Sequence, residues 1–308
     1  MKEIVPDYYK DFRCIADKCR HSCCIGWEID IDEETLDLYN SIDGILGEKL
    51  KASITHSDGS SFFTLDEKER CPFLNEKNLC EIILNKGENC LCQICSDHPR
   101  FRSFFDSHIE IGLGLCCEAA GDLILKNTDT VSFAAISDSS PALFPDTDFF
   151  RLREAVFSIL QNRCMSFEDR IDELLSVLGL NFKKDNIQKL SSLYSDLEYM
   201  NPDLKNLIEE TDFSCTENPF TSSEWDTAFE QLTVYFIFRH LADGMYDGLF
   251  NERILFSVLS YYIIKHLLIS QALKTGKVNL DDLIEISRIY SSEIEYSEDN
   301  IFSILKGL

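Results

Sequence analysis

The stretch SEWDTAFEQLTVYFIFRHL, residues 223–241, determines the predicted fold class because it carries an almost continuous apolar face at helical spacing. A second long segment, NERILFSVLSYYIIKHLLISQALKTG (251–276), ends at a glycine, the residue that commonly follows the last turn of a helix. Helices of this kind bury their apolar faces against other helices. The two segments therefore predict a helical bundle in the C-terminal half of the chain.

Shorter helical segments lie on either side of this pair. REAVFSILQNR (153–163) has apolar residues at helical spacing, and SFEDRIDELLSVLG (166–179) opens with a capping signal at Ser166. The last stretch, residues 279–308, predicts a further helical pair. We therefore expect the whole C-terminal half to be helical.

The cysteines are concentrated at the other end of the chain. CIADKCRHSCCIGW, residues 14–27, contains four cysteines, and eleven of the thirteen in the chain fall within the first 117 residues. A disulfide framework is typical of small secreted domains without a core, whereas this chain has 308 residues and 44% apolar content. Dense thiols in a reduced protein are better explained by a thiophilic metal, either zinc or an iron–sulfur cluster.

The structure around these cysteines is predicted to be mixed. IDEETLDLYNSI (31–42) and CCEAAGDLIL (116–125) predict short helices. SFFTL (61–65), RCPFL (70–74) and LCEII (79–83), which are joined by charged turns, predict short strands. The predicted fold is thus mainly α with a small β element, in which a cysteine-rich, metal-binding N-terminal half packs on a helical C-terminal bundle.

A change in composition gives the predicted domain boundaries. Residues 1–126 form the predicted cysteine-rich metal-binding domain, and residues 149–308 form the predicted helical domain. Between them, residues 127–148 are rich in Ser, Thr, Asp and Pro, which is typical of a linker with little regular structure.

The charge and the absence of targeting signals restrict the function classes. With 29 basic and 54 acidic residues the formal net charge is −25, which argues against nucleic acid as a partner because phosphate binding needs clustered Lys and Arg. The N-terminal residues lack the apolar core of a signal peptide, and the most apolar stretch, Ile254–Ile269, is interrupted by Lys265 and His266. We expect a soluble, cytoplasmic protein without a transmembrane segment.

Several motifs in fixed order resemble the flagellin lysine-N-methylase family of bacteria. They are CIADKCRHSCCIGWEIDID with Thr35 and Tyr39, then CPFLNEKNLCEI, LCQICSDHPRF and LCCEAA, and finally YFIFRHLADGMYDG followed by RILFSVLSYYII. The resemblance implies a methyltransferase that uses S-adenosylmethionine to methylate lysine side chains of flagellin. It also implies dependence on a four-iron four-sulfur cluster, with zinc as the alternative metal.

The resemblance also implies which cysteines are candidate metal ligands, for either one centre or two. These are Cys14, Cys19, Cys23, Cys24, Cys71, Cys80, Cys92, Cys95 and Cys116. Cys117 stands where the family usually has proline, so Cys117 and Cys90 are extra thiols, and His21 could replace a thiolate. Cys164 and Cys215 are isolated in the helical half, where a cysteine usually serves as a small hydrophobic residue.

Polar residues at the ends of the apolar helices are the candidates for catalysis. Arg239 follows the run YFIF, and Tyr246 and Asp247 close the same signature. Direct methylation needs a neutral lysine amine, so a carboxylate or tyrosine could act as a base or as an aligning acceptor. An arginine near a helix end more commonly caps carbonyls or pairs with an acid. The sequence lacks the glycine-rich turn that binds S-adenosylmethionine in doubly wound methyltransferases, so the binding site of the donor is not predicted. The alternative function is a non-enzymatic, redox-responsive module that binds zinc or iron and docks a partner protein.

Overall fold

A computed structural model describes residues 1–57, 59–182 and 187–308, and it contains two compact units. The helical unit consists of Met1–Phe12 together with Phe101–Leu308, and the cysteine unit is Arg13–Arg100. The division falls at residues 12 and 100, and not at 126 and 148, because the first strand of the chain pairs with strands that follow residue 107. The cysteine unit is therefore inserted into the sequence of the helical unit.

The helical unit contains ten of the α-helices that the structure describes. They are α5 (Glu118–Leu125), α6 (Asp148–Leu160), α7 (Phe167–Val177), α8 (Ile187–Ser191), α9 (Pro202–Glu209), α10 (Ser223–His240), α11 (Gly244–Asp247), α12 (Phe250–Thr275), α13 (Leu280–Tyr290) and α14 (Glu298–Gly307). The central pair is α10 and α12, whose side chains are buried on nearly every side. This confirms the predicted bundle, and with it the mainly α character of the chain.

Local capping explains where several of these helices begin and end. Ser166 accepts a hydrogen bond from the Asp169 amide at the start of α7, as predicted. Asn279 and Asp282 form a reciprocal capping box at the start of α13. Gly276, with φ of +79°, ends α12 in the left-handed conformation that costs glycine least.

A four-stranded sheet completes the helical unit. Its strands are β1 (Lys2–Pro6), β4 (Arg100–Phe104), β5 (His108–Leu113) and β6 (Phe133–Ala135), in the spatial order β4-β5-β1-β6. Strand β1 pairs in parallel with β5, Lys2 opposite His108, and antiparallel with β6, Ile4 opposite Ala135. Strand β6 lies inside the stretch predicted to be a linker, so that stretch contributes an edge of the sheet.

A buried ion pair fastens this sheet to α6. The Arg153 guanidinium donates two hydrogen bonds of 2.6 Å to the Glu110 carboxylate on β5, and His108 lies 3.2 Å from the same carboxylate. Six phenylalanine rings surround the guanidinium at 4.9–5.9 Å from their centroids. Bidentate geometry and aromatic stacking favour arginine over lysine at such a site.

The cysteine unit has its own small core. It contains α1 (Glu33–Ser41), α2 (Gly44–Ala52), β2 (Ile54–Ser57), β3 (Ser60–Phe63), α3 (Glu81–Lys86) and α4 (Gln93–Asp97). The core is built from aliphatic and aromatic side chains together with cysteines, including Tyr39, Phe63, Phe73, Cys71 and Cys92.

The predictions for this unit are confirmed in part. The helix predicted at 31–42 is α1, and the strand predicted at 61–65 overlaps β3. The strands predicted at 70–74 and 79–83 are wrong. Arg70 and Leu74 take part only in isolated bridges, and helix α3 begins directly after Cys80. Both segments are apolar and short, and strands and buried helices cannot be told apart by periodicity at that length.

We expect the substitution Gly112→Ala to destabilise the helical unit by about 1–3 kcal/mol, the usual cost of overpacking. A β-carbon at Gly112 would lie 2.2 Å from Cζ of Phe101. The Phe101 ring also packs against the rings of Tyr235 and Phe238, which restrict its movement. Urea denaturation followed by circular dichroism measures the change. A loss of stability below about 0.5 kcal/mol would show that the ring moves aside freely.

Candidate functional site

The buried carboxylate of Glu295 is the centre of a polar network in the helical unit. Glu295 is the last residue of a π-helical turn, Ser291–Glu295, which connects α13 to the segment before α14. Turns of this type often occur at functional sites because the wider turn redirects side chains. The side chain of Glu295 has no exposed surface, so its charge must be compensated by neighbouring groups.

Three residues on one face of α10 supply this compensation. The Tyr235 hydroxyl donates to the Glu295 carboxylate at 2.9 Å, the Arg239 Nε lies 3.3 Å from Oε1, and Nε2 of His240 lies 2.6 Å from Oε1. Arg239 also donates to the Tyr235 hydroxyl at 2.9 Å, and that hydroxyl accepts the Leu115 amide at 3.1 Å. We call Tyr235, Arg239, His240 and Glu295 the Glu295 centre.

The charges in the Glu295 centre follow from burial and from these contacts. Burial raises the pKa of the Glu295 carboxyl, but Arg239 and His240 outweigh it and the pKa lies below its ordinary value. Burial lowers the pKa of His240, although Glu295 opposes this effect. The centre at neutral pH is thus an ionised glutamate and an arginine beside a neutral histidine.

The rim of the Glu295 centre is formed by Tyr296 and Cys116. Tyr296 is 41% exposed, and its hydroxyl accepts a hydrogen bond from the Cys116 thiol at 3.0 Å. The Arg239 guanidinium stacks 4.8 Å from the centroid of the Tyr296 ring and 5.0 Å from that of Phe101. Burial raises the pKa of Cys116 to about 12, so this thiol is protonated at neutral pH.

Tyr246 and Asp247 also lie in the helical unit, but their hydrogen bonds and ion pairs are separate from those of the Glu295 centre. Tyr246 is 77% exposed, and its hydroxyl donates to the Phe104 carbonyl at 3.2 Å. The Asp247 carboxylate pairs with Arg253 at 2.6 Å and accepts the Leu249 amide. Partial burial raises the pKa of Asp247, but the Arg253 contact outweighs it and the pKa is lowered. Among the described residues, the hydrogen bonds and ion pairs of Arg239 go to Tyr235 and Glu295 and not to this pair.

In the cysteine unit, five of the predicted ligands lie within electrostatic range of one another. They are Cys24, Cys71, Cys80, Cys92 and Cys95, which we call the thiol cluster. The Cys71 amide donates to the Cys24 carbonyl at 2.8 Å, and Cys80 forms a bridge with Leu74. Cys92 caps α4, one turn before Cys95.

Hydrogen bonds between thiols set the ionisation order in the thiol cluster. Cys95 donates to Cys92, which lowers the pKa of Cys92 and raises that of Cys95. A hydrogen bond from Cys23 lowers the pKa of Cys24 to about 7, against the effect of burial. Burial raises the pKa of Cys71 to about 12. Cys24 and Cys92 are thus the most acidic members, and thiolates are the form that binds metal.

The chemistry of the thiol cluster fits a thiophilic metal. Soft thiolates select zinc and iron–sulfur clusters, and neighbouring cysteines in a protein core can supply four of them. Within residues 1–57, 59–182 and 187–308, no three His, Cys, Asp or Glu side chains converge in a metal-ligating arrangement. The fit therefore rests on donor type and proximity.

The remaining predicted ligands have other contacts. Cys14 is exposed and accepts the Ala16 amide at 3.4 Å, and the Cys19 thiol donates to the His21 carbonyl at 3.3 Å. The Cys23 side chain forms a hydrogen bond with Cys24, as described above, and Cys116 belongs to the helical unit. The ligand roles of all nine cysteines stay predictions, those of the thiol cluster included.

Comparison with known proteins finds a family model that matches part of the helical unit. Residues 171–308 match the FliB lysine N-methylase C-terminal domain. This part of the chain is therefore similar to the C-terminal domain of FliB lysine N-methylases. This confirms the family resemblance predicted from the sequence, and we refer to residues 171–308 as the FliB domain.

Relatives with curated names agree with this assignment. Lysine-N-methylases of Salmonella choleraesuis and Salmonella typhimurium are each 28% identical over 145 residues, which cover 44% of this chain and 36% of the relative. The flagellar biosynthetic protein FliU of Salmonella muenchen is 27% identical over 141 residues, which cover 43% of this chain and 83% of the relative. The chain thus spans well under half the length of the two lysine-N-methylases. No solved structure matches it.

The FliB domain contains every member of the Glu295 centre and the rim residue Tyr296, whereas other groups that border the centre come from elsewhere in the helical unit. Cys116 and Leu115 precede α5, and Phe101 lies on β4. Helix α12 of the FliB domain is long and apolar enough to span a membrane by composition, but 83% of its most apolar window is buried inside the protein, as in a core helix.

Sequence reasoning identified Arg239 but missed its partner Glu295. The only signal in the sequence is a glutamate next to apolar residues in the predicted helical pair, EIEY. That pattern is also typical of an amphipathic helix with an exposed acid. The distinguishing π-helical turn has no composition of its own, so the partner becomes visible only in the fold.

We expect acidification to destabilise the FliB domain in two steps. The pKa of His240 lies below its ordinary value near 6.5, so the unfolded chain takes up a proton below that pH that the folded chain does not. The pKa of Glu295 is also lowered, so its stabilising effect is present above about pH 4.5 and is lost as the pH falls through its folded pKa. Urea unfolding between about pH 8 and pH 2 measures both steps, and His240→Gln should flatten the first of them. An unchanged slope in that variant would contradict the assignment.

Proposed function

We propose that this protein transfers methyl groups from S-adenosylmethionine to lysine side chains of flagellin, with a cysteine-bound iron–sulfur cluster in the cysteine unit. The observation that carries the proposal is the match of residues 171–308 to the FliB lysine N-methylase C-terminal domain. Curated relatives are named lysine-N-methylase, and a third carries a flagellar name. The thiol cluster adds a set of donors suited to iron.

The residues that would hold the metal are the members of the thiol cluster. Three of the five would hold a four-iron four-sulfur cluster with one iron left open, and four would hold zinc, which is the alternative. A bound cluster with an open iron would supply a site for the amino and carboxylate groups of S-adenosylmethionine, by analogy with radical enzymes that use the same donor. Cys92 and Cys24 ionise most readily and would be the first ligands.

In a direct transfer, the lysine Nζ forms a bond to the methyl carbon while the bond from that carbon to the sulfonium sulfur breaks. The bonding electrons go to sulfur, and S-adenosylhomocysteine leaves. The amine must first give up a proton, which requires an acceptor near the lysine. We assign that proton to solvent, and we assign the sequence-predicted Tyr246 and Asp247 the role of aligning acceptors for the neutral amine. Tyr246 is exposed enough to reach a protein substrate, and the lowered pKa of Asp247 keeps it ionised as an aligning acceptor.

The Glu295 centre contributes by holding parts of the FliB domain in place. It joins α10 to the π-helical turn, and Arg239 fixes the ring of Tyr296 at the surface by stacking. Tyr296 is therefore presented in one orientation beside Cys116. The net charge of −25 would favour the approach of a cationic lysine-bearing surface, and we propose that the reaction takes place in the cytoplasm.

The alternative is a metal-binding partner protein without catalytic activity. It is favoured by one observation, namely that the thiol cluster lies in a compact unit with its own core. A zinc ion in that position would stabilise the unit without taking part in chemistry.

One assay separates the two functions. Anaerobically purified, metal-replete protein is incubated with methyl-labelled S-adenosylmethionine and flagellin, and peptides are mapped by mass spectrometry. We expect label on lysine side chains, and no label when the flagellin lysines have been acetylated beforehand. If metal-replete protein labels no lysine, the methylase proposal fails and the partner protein is the better account.

A further inference from the structure

Helix α1 of the cysteine unit holds the backbone on both sides of Cys92. Oδ2 of Asp32 accepts the Gln93 amide at 2.8 Å, across 61 residues of sequence. The Tyr39 hydroxyl donates to the Cys90 carbonyl at 2.9 Å. Cys92 lies between these two fixed points, so its backbone has little freedom to shift.

Asp32 and Tyr39 are suited to this role by their positions on the helix. They are seven residues apart, or about two turns, and therefore lie on the same face of α1. Asp32 is also the N-cap of α1, where Oδ1 accepts the Thr35 amide at 2.9 Å. Tyr39 is completely buried and stacks on Phe63, so its ring cannot swing away from Cys90.

The two contacts go beyond what the helix needs. An N-cap aspartate requires only the amides of its own first turn, whereas Asp32 also binds the first residue of α4. The bond to Gln93 fixes the beginning of α4, and that helix carries Cys95 as well as its cap Cys92. Both thiols of the CxxC pair are thus oriented by α1.

We propose that Asp32 and Tyr39 are positioning residues for the metal centre, which hold Cys92 and Cys95 in the orientation that binds the ion. This inference rests on the metal centre of the proposed function. Groups that orient metal ligands from behind commonly change metal affinity by about 10- to 100-fold when they are removed. Neither residue needs to touch the metal.

The test compares three variants of the full chain in which single polar contacts are removed. Asp32→Asn can keep the cap on α1 through its amide oxygen, but its NH₂ group cannot accept the Gln93 amide. Tyr39→Phe removes only the hydroxyl that binds Cys90. Thr35→Val is the matched control, because the Thr35 hydroxyl donates to the same Asp32 carboxylate at 2.9 Å without touching the cysteine segments.

Two quantities are measured anaerobically for each protein. Titration with Co²⁺ alone, followed by thiolate-to-cobalt absorption and competed with a chelator, gives the metal affinity. Urea unfolding without metal gives the stability of the apoprotein. We expect Asp32→Asn and Tyr39→Phe each to bind Co²⁺ about 10- to 100-fold more weakly, and Thr35→Val to bind like the wild type. We also expect Asp32→Asn to unfold close to the wild-type midpoint.

The inference is overturned if Asp32→Asn and Tyr39→Phe bind Co²⁺ as tightly as the wild type. It is also overturned if the Co²⁺ affinity of these variants falls only in proportion to the stability of the apoprotein, and if Thr35→Val shows the same loss. The contacts of Asp32 and Tyr39 would then stabilise the fold without orienting the cysteines. A wild-type chain that gives no thiolate-to-cobalt absorption removes the metal centre and the inference together. Absence of methyl transfer by wild-type protein that binds metal would contradict the methylase activity and leave this inference standing.

Discussion

A chain in which Cys92 and Cys95 are both replaced by serine is expected to bind no metal and to transfer no methyl groups to flagellin. A serine hydroxyl is a poor ligand for iron or zinc, while most of the side-chain volume is kept. The variant removes the two members of the thiol cluster that lie one turn apart at the start of α4, including the buried Cys92. Metal content per chain and methyl incorporation are measured on the same anaerobic preparation.

The matched control for this variant replaces Cys164 and Cys215 by serine. Both lie in the helical unit, and Cys164 is exposed, so we expect wild-type metal content and activity. If the Cys92 and Cys95 variant binds no metal but methylates at the wild-type rate, the metal is structural and catalysis resides in the helical unit alone. Full metal content in that variant would show that the ligands are other cysteines.

Arg239→Ala is expected to destabilise the helical unit by about 3–5 kcal/mol, because it leaves the buried charge of Glu295 without its arginine. The sequence alone left two roles open for Arg239, one in methyl transfer and one in capping a helix or pairing with an acid. In the structure, the loss of Arg239 lowers the free energy of unfolding whatever its role in catalysis, because Arg239 also donates to the Tyr235 hydroxyl and stacks on the ring of Tyr296. Chemical denaturation gives the loss of stability, and methyl transfer is assayed at a temperature where the variant is folded.

Arg288→Ala provides the comparison for this substitution. Arg288 pairs with Glu285 one turn earlier on α13, where both side chains keep some exposure, and such pairs contribute about 0–1 kcal/mol. In addition, Glu295→Gln combined with Arg239→Ala should recover part of the lost stability, because no uncompensated carboxylate remains. If Arg239→Ala keeps wild-type stability but loses methyl transfer, Arg239 acts on the substrate and the catalytic interpretation is correct.

The helical part of the fold could be predicted from local signals. Ser166 and Gly276 mark the beginning of α7 and the end of α12 through capping and left-handed backbone geometry, which depend on a few neighbouring residues. The apolar periodicity between such markers is long enough to exclude strands. The predicted bounds of α7, α10 and α12 therefore agree closely with the structure, whereas α6 begins at Asp148, before the predicted start at Arg153.

The sheet of the helical unit could not be predicted in the same way. Strand β1 pairs with β5 and β6, and both partners lie more than 100 residues away in the sequence. A strand with distant partners is stabilised by those partners and not by its own residues. Residues 133–135 have no strong pattern, so their position in a stretch rich in Ser and Asp favoured a linker.

The candidate sites show the same division. The density of cysteines indicated a metal. Which cysteines lie close together, however, depends on tertiary contacts, such as the hydrogen bond from the Cys71 amide to the Cys24 carbonyl. Cys116 lies in a cysteine motif like the other predicted ligands, yet its thiol donates a hydrogen bond to the Tyr296 hydroxyl in the helical unit. The pairing of Arg239 with Glu295 spans 56 residues and depends on a π-helical turn.

The insertion of the cysteine unit between β1 and β5 affects the order in which the chain folds during translation. Strand β1 leaves the ribosome before the cysteine unit does, but its parallel partner does not begin until His108. The cysteine unit is continuous from Arg13 to Arg100, so all of its contacts are available once that stretch has emerged. Because domains generally fold as units in the order of synthesis, the nascent chain gathers its thiols while the FliB domain is still being made. If the proposed metal is bound, it could therefore enter the thiol cluster before the FliB domain has been synthesised.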